Sequence, residues 1–129
     1  MTMTPQEFIA AHVERVQPLF RDAALAYWEA AMTGREADHE RAAQLRAEIL
    51  RIYANPEEYA LVRAWDAELN PAPDAAEMRL LARQIRLLHH AYAGSQQDEA
   101  TIARLTELEK EVNATYTNFR GVYQGKPCS

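Results

Sequence analysis

Four histidines, His12, His39, His89 and His90, carry most of the chemistry this sequence offers. Two imidazoles one helical turn apart grip a single metal ion, which is why His-Glu-x-x-His on a helix marks a zinc peptidase. His39-Glu40 begins that pattern, but the residue that should be the second ligand is Ala43. Glu36-x-x-His39 matches one half of a di-iron carboxylate site, which needs a second Glu-x-x-His and two more inward glutamates. No second copy exists, so Glu36 and His39 are expected to be exposed residues near a helix start. His89 and His90 are neighbours on a helix and point about 100° apart, which makes a shared metal ion awkward. His12 falls on an apolar face, where a buried imidazole satisfied by a carbonyl or carboxylate is the better account. A helical-bundle metal carrier using these four histidines is the weakest of the functional readings.

The one candidate nucleophile is Cys128, near the end of the sequence. A catalytic cysteine needs a histidine beside it and a lowered pKa, and nothing here supplies either. Arg79, Arg83, Arg86 and His90 form a basic helical stripe that fits a solvated face better than a phosphate groove. The Glu107, Glu109, Lys110 and Glu111 cluster is read the same way. Trp28, Trp65, Tyr27, Tyr92, Tyr116 and Phe119 sit at helical spacings and are expected in the core. No catalytic residue and no metal ligand is assigned.

The totals set the frame for these residues. The chain has 129 residues, so one domain is expected, and 48% apolar content argues against disorder. A net charge of −5 lacks the basic footprint of a nucleic-acid binder. The lone cysteine excludes an internal disulfide and suits a reducing compartment. No signal peptide or membrane span is legible, so a cytoplasmic protein is expected, without nucleic-acid or membrane partners.

Hydrophobic periodicity predicts an all-α domain of about five helices in antiparallel hairpins, over residues 5–32, 39–54, 56–69, 75–93 and 98–120. Thr4-Pro5-Gln6-Glu7 is a capping box with proline at the first helical position. Helix one then carries Phe8, Ile9, Val13, Val16, Leu19, Phe20, Ala23, Tyr27 and Ala31 inward, kinked at Pro18 because the stripe resumes in phase. Asp38 is expected to cap helix two, which turns Leu45, Ile49, Ile52 and Tyr53 inward. Asn55 caps helix three, with Tyr59, Val62, Trp65 and Leu69 inward. Asn70-Pro71-Ala72-Pro73 is a turn, and Asp74 starts helix four, with Met78, Leu81, Ile85, Leu88 and Tyr92 inward as far as Gly94. Ser95 or Asp98 caps helix five, which should pair with helix four. Its apolar stripe is Ile102, Leu105, Leu108, Val112, Tyr116 and Phe119, closed by a left-handed Gly121. No strand is predicted, and residues 122–129 are expected to form no element.

A resemblance sharpens this. Residues 25–34 (Leu-Ala-Tyr-Trp-Glu-Ala-Ala-Met-Thr-Gly), 80–92 (Leu-Leu-Ala-Arg-Gln-Ile-Arg-Leu-Leu-His-His-Ala-Tyr), 108–112 (Leu-Glu-Lys-Glu-Val) and 117–121 (Thr-Asn-Phe-Arg-Gly) through Gly125-Lys126 resemble one family. They are similar to the N-terminal helical region of bacterial zinc metallopeptidases of the oligoendopeptidase and angiotensin-converting-enzyme type. The resemblance covers essentially the whole chain and rests on the order and spacing of helical patterns. It implies a non-catalytic lid segment over a substrate channel, in a protein whose full-length form hydrolyses short peptides. The family's zinc, held by His-Glu-x-x-His and a downstream Glu, is implied only for that full-length form. No ligand position exists in this chain, so no cofactor is expected here. The partner implied is the remainder of a peptidase chain, or a second copy forming a dimer. The rival expectation is a free-standing helical interaction module. Tyr116, Phe119 and Tyr123 are the expected interface residues.

Overall fold

The Thr4 hydroxyl oxygen accepts a hydrogen bond from the Glu7 backbone N–H, and the Thr4 backbone N–H donates to the Glu7 carboxylate. That capping box, with Pro5 behind it, starts helix α1 (Pro5–Thr33). In the computed structural model, which describes residues 2–71 and 74–128, four more helices follow. They are α2 (Glu36–Tyr53), α3 (Pro56–Leu69), α4 (Ala76–Ala93) and α5 (Glu99–Asn118). Two short strands, β1 (Val122–Tyr123) and β2 (Lys126–Pro127), pair as an antiparallel hairpin. The fold is all-α. No helix among the described residues is long and apolar enough to cross a membrane.

Helix α1 is the common spine, and it runs as one helix through Pro18. Gly34 ends it in the left-handed conformation (φ 66°), which turns the chain back so that α2 packs antiparallel along α1. Asn55 accepts from the N–H groups of Glu57 and Glu58 and starts α3. Helices α3 and α4 form a second hairpin against the N-terminal half of α1. Phe8 joins Val62, Trp65, Leu81, Ile85 and Tyr92 there in the larger core cluster. Asp98 caps α5 by accepting from Thr101 N–H. Helix α5 then returns antiparallel to α2, ordered by Arg51–Glu99 at one end and Lys110–Glu40 further along. Ala47, Leu50 and Ile102 form the smaller core there.

Several expectations need correcting. Helix α5 packs along α2 and not as a hairpin with α4. Helix α2 starts at Glu36 with Arg35 at its cap position, so Asp38 lies inside the first turn. Ala75, not Asp74, holds the cap position of α4, with no side-chain cap. Phe119 ends α5 in extended conformation, and Gly121 does not take the left-handed cap. Residues 122–127 do form an element, a hairpin turning at Gln124 and Gly125, both at positive φ. Of the turn read at 70–73, Ala72 and Pro73 lie outside the described residues.

The inward faces also differ. On α1 the buried line is Phe8, His12, Val16, Ala26 and Ala30, while Val13, Phe20 and Tyr27 are exposed. On α5 only Ile102 and Thr106 are buried, and Leu108, Val112, Tyr116 and Phe119 are exposed. At 100° per residue, that apolar stripe lies roughly a quarter turn round α5 from the side that meets α2. Ile102 sets the covered side, packed with Ala47 and Leu50 of α2.

Candidate functional site

His12 is the centre of a polar chain inside the larger core. Its Nε2 lies 3.0 Å from the Tyr53 hydroxyl and its Nδ1 3.5 Å from the Tyr92 hydroxyl. Tyr92, with no exposed surface, donates to Glu58 Oε2 at 2.5 Å, and Arg15 donates to the same oxygen at 2.9 Å. Because the Tyr92 proton is committed to Glu58, its oxygen can only accept from His12 Nδ1–H. That assigns the tautomer: Tyr53 donates to His12 Nε2, and His12 donates to Tyr92. Each residue in the sequence Tyr53, His12, Tyr92, Glu58, Arg15 therefore has a partner.

The electrostatics follow from burial and from these partners. Burial lowers the His12 pKa, Arg15 lowers it further and Glu58 opposes both, so the imidazole is held neutral. Burial and the Glu58 carboxylate push the Tyr92 phenol well above its ordinary range. Burial alone would raise Glu58, but the hydrogen bonds from Arg15 and Tyr92 outweigh it and hold the carboxyl below its ordinary value. A neutral base, a protonated phenol and an ionised carboxylate could in principle relay a proton. A cleft of about 430 Å³ opens beside them, lined by Phe8, His12, Arg15, Glu58 and Leu61 among others. Yet both imidazole nitrogens are taken up by tyrosines, and no serine or cysteine is hydrogen-bonded to them among the described residues. The chain of hydrogen bonds ties four helices together.

A second polar cluster joins α3 to α4. His89 Nδ1 lies 2.7 Å from Asp66 Oδ2, Asn70 donates to Asp66 Oδ1 at 2.5 Å, and Arg86 approaches the same oxygen at 3.5 Å. Tyr59 lies over the His89 ring at 5.8 Å between centroids. Burial raises Asp66, but the His89 hydrogen bond and the Arg86 charge outweigh it and keep the carboxyl below its ordinary value. An Asp-His pair orients a base in many hydrolases, but a serine or cysteine must stand on its far side. Cys128 lies on the terminal hairpin with its Sγ toward the Lys126 carbonyl, and no histidine partners it among the described residues.

The third feature surrounds His39. This residue was expected to be exposed, yet it is 4% exposed, with Nε2 unpartnered among the described residues. Helix α2 starts three residues earlier than predicted, which rotates His39 from the cap to the inner face. It lines a cavity of about 220 Å³ between α1, α2 and α5, with Ala42, Ala43, Tyr27 and Asn113. Lys110 was read as part of a solvated face, but its side chain is only 11% exposed and holds Glu36, Glu40 and Glu107 at 2.9–3.2 Å. These contacts push its ammonium pKa upward, the Glu40 hydrogen bond foremost.

The expected site residues thus separate. His12 is buried, with tyrosine hydroxyls in place of the expected carbonyl or carboxylate. His89 is paired, and His90 is exposed. Trp65 and Tyr92 are core, whereas Tyr27, Trp28, Tyr116 and Phe119 are exposed, against the expectation from their spacing. Tyr123 is exposed on the hairpin. Arg79 and Arg83 are exposed, and Arg86 reaches Asp66. Glu58, Arg15, Tyr53 and Asp66 went unremarked as site residues, since single polar residues on separate helices leave no periodic signal. The four histidines do not fit a zinc site: His12 and His89 are committed to other partners, and no three His, Cys, Asp or Glu converge among the described residues.

Comparison with known proteins leaves the chain alone: no family model, no curated protein and no solved structure matches it.

Proposed function

We propose that this chain is a non-catalytic helical interaction domain whose apolar end face is covered by another protein surface. The observation that carries this is the exposure of large apolar side chains at one end of the bundle. Tyr27, Trp28 and Met32 lie in the last turns of α1, and Val112, Tyr116 and Phe119 in the last turns of α5. The Asn118–Gly34 hydrogen bond puts those two helix ends together. Soluble monomers seldom leave large apolar patches bare, and those that do use them for recognition. The His12, Tyr92 and Glu58 chain and the Asp66–His89 pair are, by contrast, hydrogen-bonded inside the fold.

In the narrower form implied by the resemblance to oligoendopeptidase and angiotensin-converting-enzyme type peptidases, the covering surface is the remainder of a peptidase chain. The domain is then part of a channel lid, and zinc and peptide hydrolysis belong to regions other than residues 1–129. The alternative is a free-standing module that pairs with a partner or with itself. A lone cysteine suits a reducing, cytoplasmic setting for either form.

Purified protein incubated with a quenched peptide should give no EDTA-sensitive cleavage; robust metal-dependent hydrolysis overturns the non-catalytic reading. Translating the coding sequence beyond Ser129 separates the two forms. A downstream His-Glu-x-x-His supports the lid, and an immediate stop codon supports the free-standing module.

A further inference from the structure

We propose that a second copy of this chain docks on the α1–α5 groove, with each Tyr116 seated in the cavity beside the partner's His39. This rests on the interaction-domain reading and gives its partner. Helices α1 and α5 both lean on α2 and touch each other little, which leaves a groove with α2 as its floor. Ala42 and Ala43 keep the floor low, and Tyr27 and Asn113 stand on opposite walls.

Size and chemistry select the occupant. The cavity is about 220 Å³. Small-molecule sites start near ~300 Å³, whereas an apolar cavity of ~150 Å³ already takes one benzene ring. One aromatic side chain is the fitting load. The wall is not wholly apolar, because His39 Nε2 lacks a partner among the described residues. A buried ring nitrogen without a partner is unfavourable, so the occupant should bring a hydroxyl. A tyrosine does both: its ring fills space, and its hydroxyl donates to or accepts from either imidazole tautomer.

The chain carries such a ring beside the cavity. Tyr116 is 86% exposed. It stands six to seven residues beyond Glu109 and Lys110, roughly 10 Å along α5 at 1.5 Å per residue. A projecting ring and a ring-sized hole, offset along one helix, are what a self-complementary two-fold contact requires. An axis near Asn113 runs the two α5 helices antiparallel and brings each Tyr116 over the partner's cavity. The same contact covers Leu108 and Val112, which flank a shallow hollow beside Asn113.

Sedimentation equilibrium on the purified chain tests the proposal. The wild type should show a monomer–dimer equilibrium in the micromolar range. Tyr116→Ala should raise the dimer dissociation constant about tenfold or more, as expected for a central aromatic anchor. Asn113→Arg, which sets two like charges on the axis, should do the same. Tyr116 is exposed and Asn113 half-buried, so the monomer's circular dichroism and melting temperature should stay near wild type. A wild type that remains monomeric overturns the proposal, as does a dimer that Tyr116→Ala and Asn113→Arg leave unchanged. Neither result touches the interaction-domain reading, which falls instead on metal-dependent peptide hydrolysis by the purified chain.

Discussion

Tyr92 donates its phenol proton to Glu58 at 2.5 Å, tying the end of α4 to the first turn of α3. Glu58 in turn takes Arg15 from α1, so one carboxylate holds three helices. A hydrogen bond to a charged group contributes about 1.5–3 kcal/mol when buried. Tyr92→Phe keeps the ring and should cost that much, read as a lower urea midpoint at unchanged m-value. Tyr53→Phe, at the half-buried end of the same chain, should cost less.

Acid should destabilise the protein in two stages. Burial holds His12 below its ordinary value of 6.5 in the folded chain, while the unfolded chain binds its proton near 6.5. Below that pH the unfolded state carries more protons, so stability falls as pH drops. Glu58 and Asp66 are held below their ordinary values of 4.5 and 3.8, so their contributions are full above those values and lost as pH falls through them. Urea midpoints should therefore decline gently from pH 7 to 5 and steeply below about 4.5. His12→Gln should flatten the first limb and leave the second.

Gly34 is the hinge of the α1–α2 hairpin. Its φ of 66° disfavours any side chain, and a Cβ there would overlap the Asn118 amide oxygen. Gly34→Ala should cost more than the ~1–2 kcal/mol of left-handed strain alone. Asn118→Ala removes its hydrogen bond to the Gly34 carbonyl and should cost about 0.5–1.5 kcal/mol. In the double mutant the overlap is gone, so the two losses should sum to less than their separate values.

The two sides of α5 should respond differently to truncation. Ile102→Ala opens a hole in the core and should cost about 2–5 kcal/mol. Val112→Ser and Phe119→Ser alter exposed positions and should stay within about 0.5 kcal/mol of wild type at concentrations where the chain is monomeric. Equal losses at Ile102 and Val112 would mean that the apolar stripe is buried after all.

What the sequence by itself determined is local. The Thr4–Glu7 capping box, the Asn55 cap and the 3.6-residue periodicity define helices from bonds made within a few residues, whereas the choice of Asp98 over Ser95 as the α5 cap came from the structure. The core faces of α3 and α4 were legible too, because Val62, Trp65, Leu81, Ile85 and Tyr92 have one apolar stripe and one place to bury it. Only the tertiary structure decided which face of α5 was covered. Periodicity says that Leu108, Val112 and Tyr116 share a side, not that a partner helix reaches it. The packing of Ile102 with Ala47 and Leu50, with the Arg51–Glu99 and Lys110–Glu40 pairs, turned α5 so that its larger residues overhang the groove. The Tyr53, His12, Tyr92, Glu58 and Arg15 chain was equally hidden. Its members lie on four helices, so no spacing along the chain connects them; burial with a shared need for hydrogen-bond partners does. The same burial, with no partner for His39 Nε2 among the described residues, separates an exposed capping residue in the sequence from the wall of an open cavity in the fold.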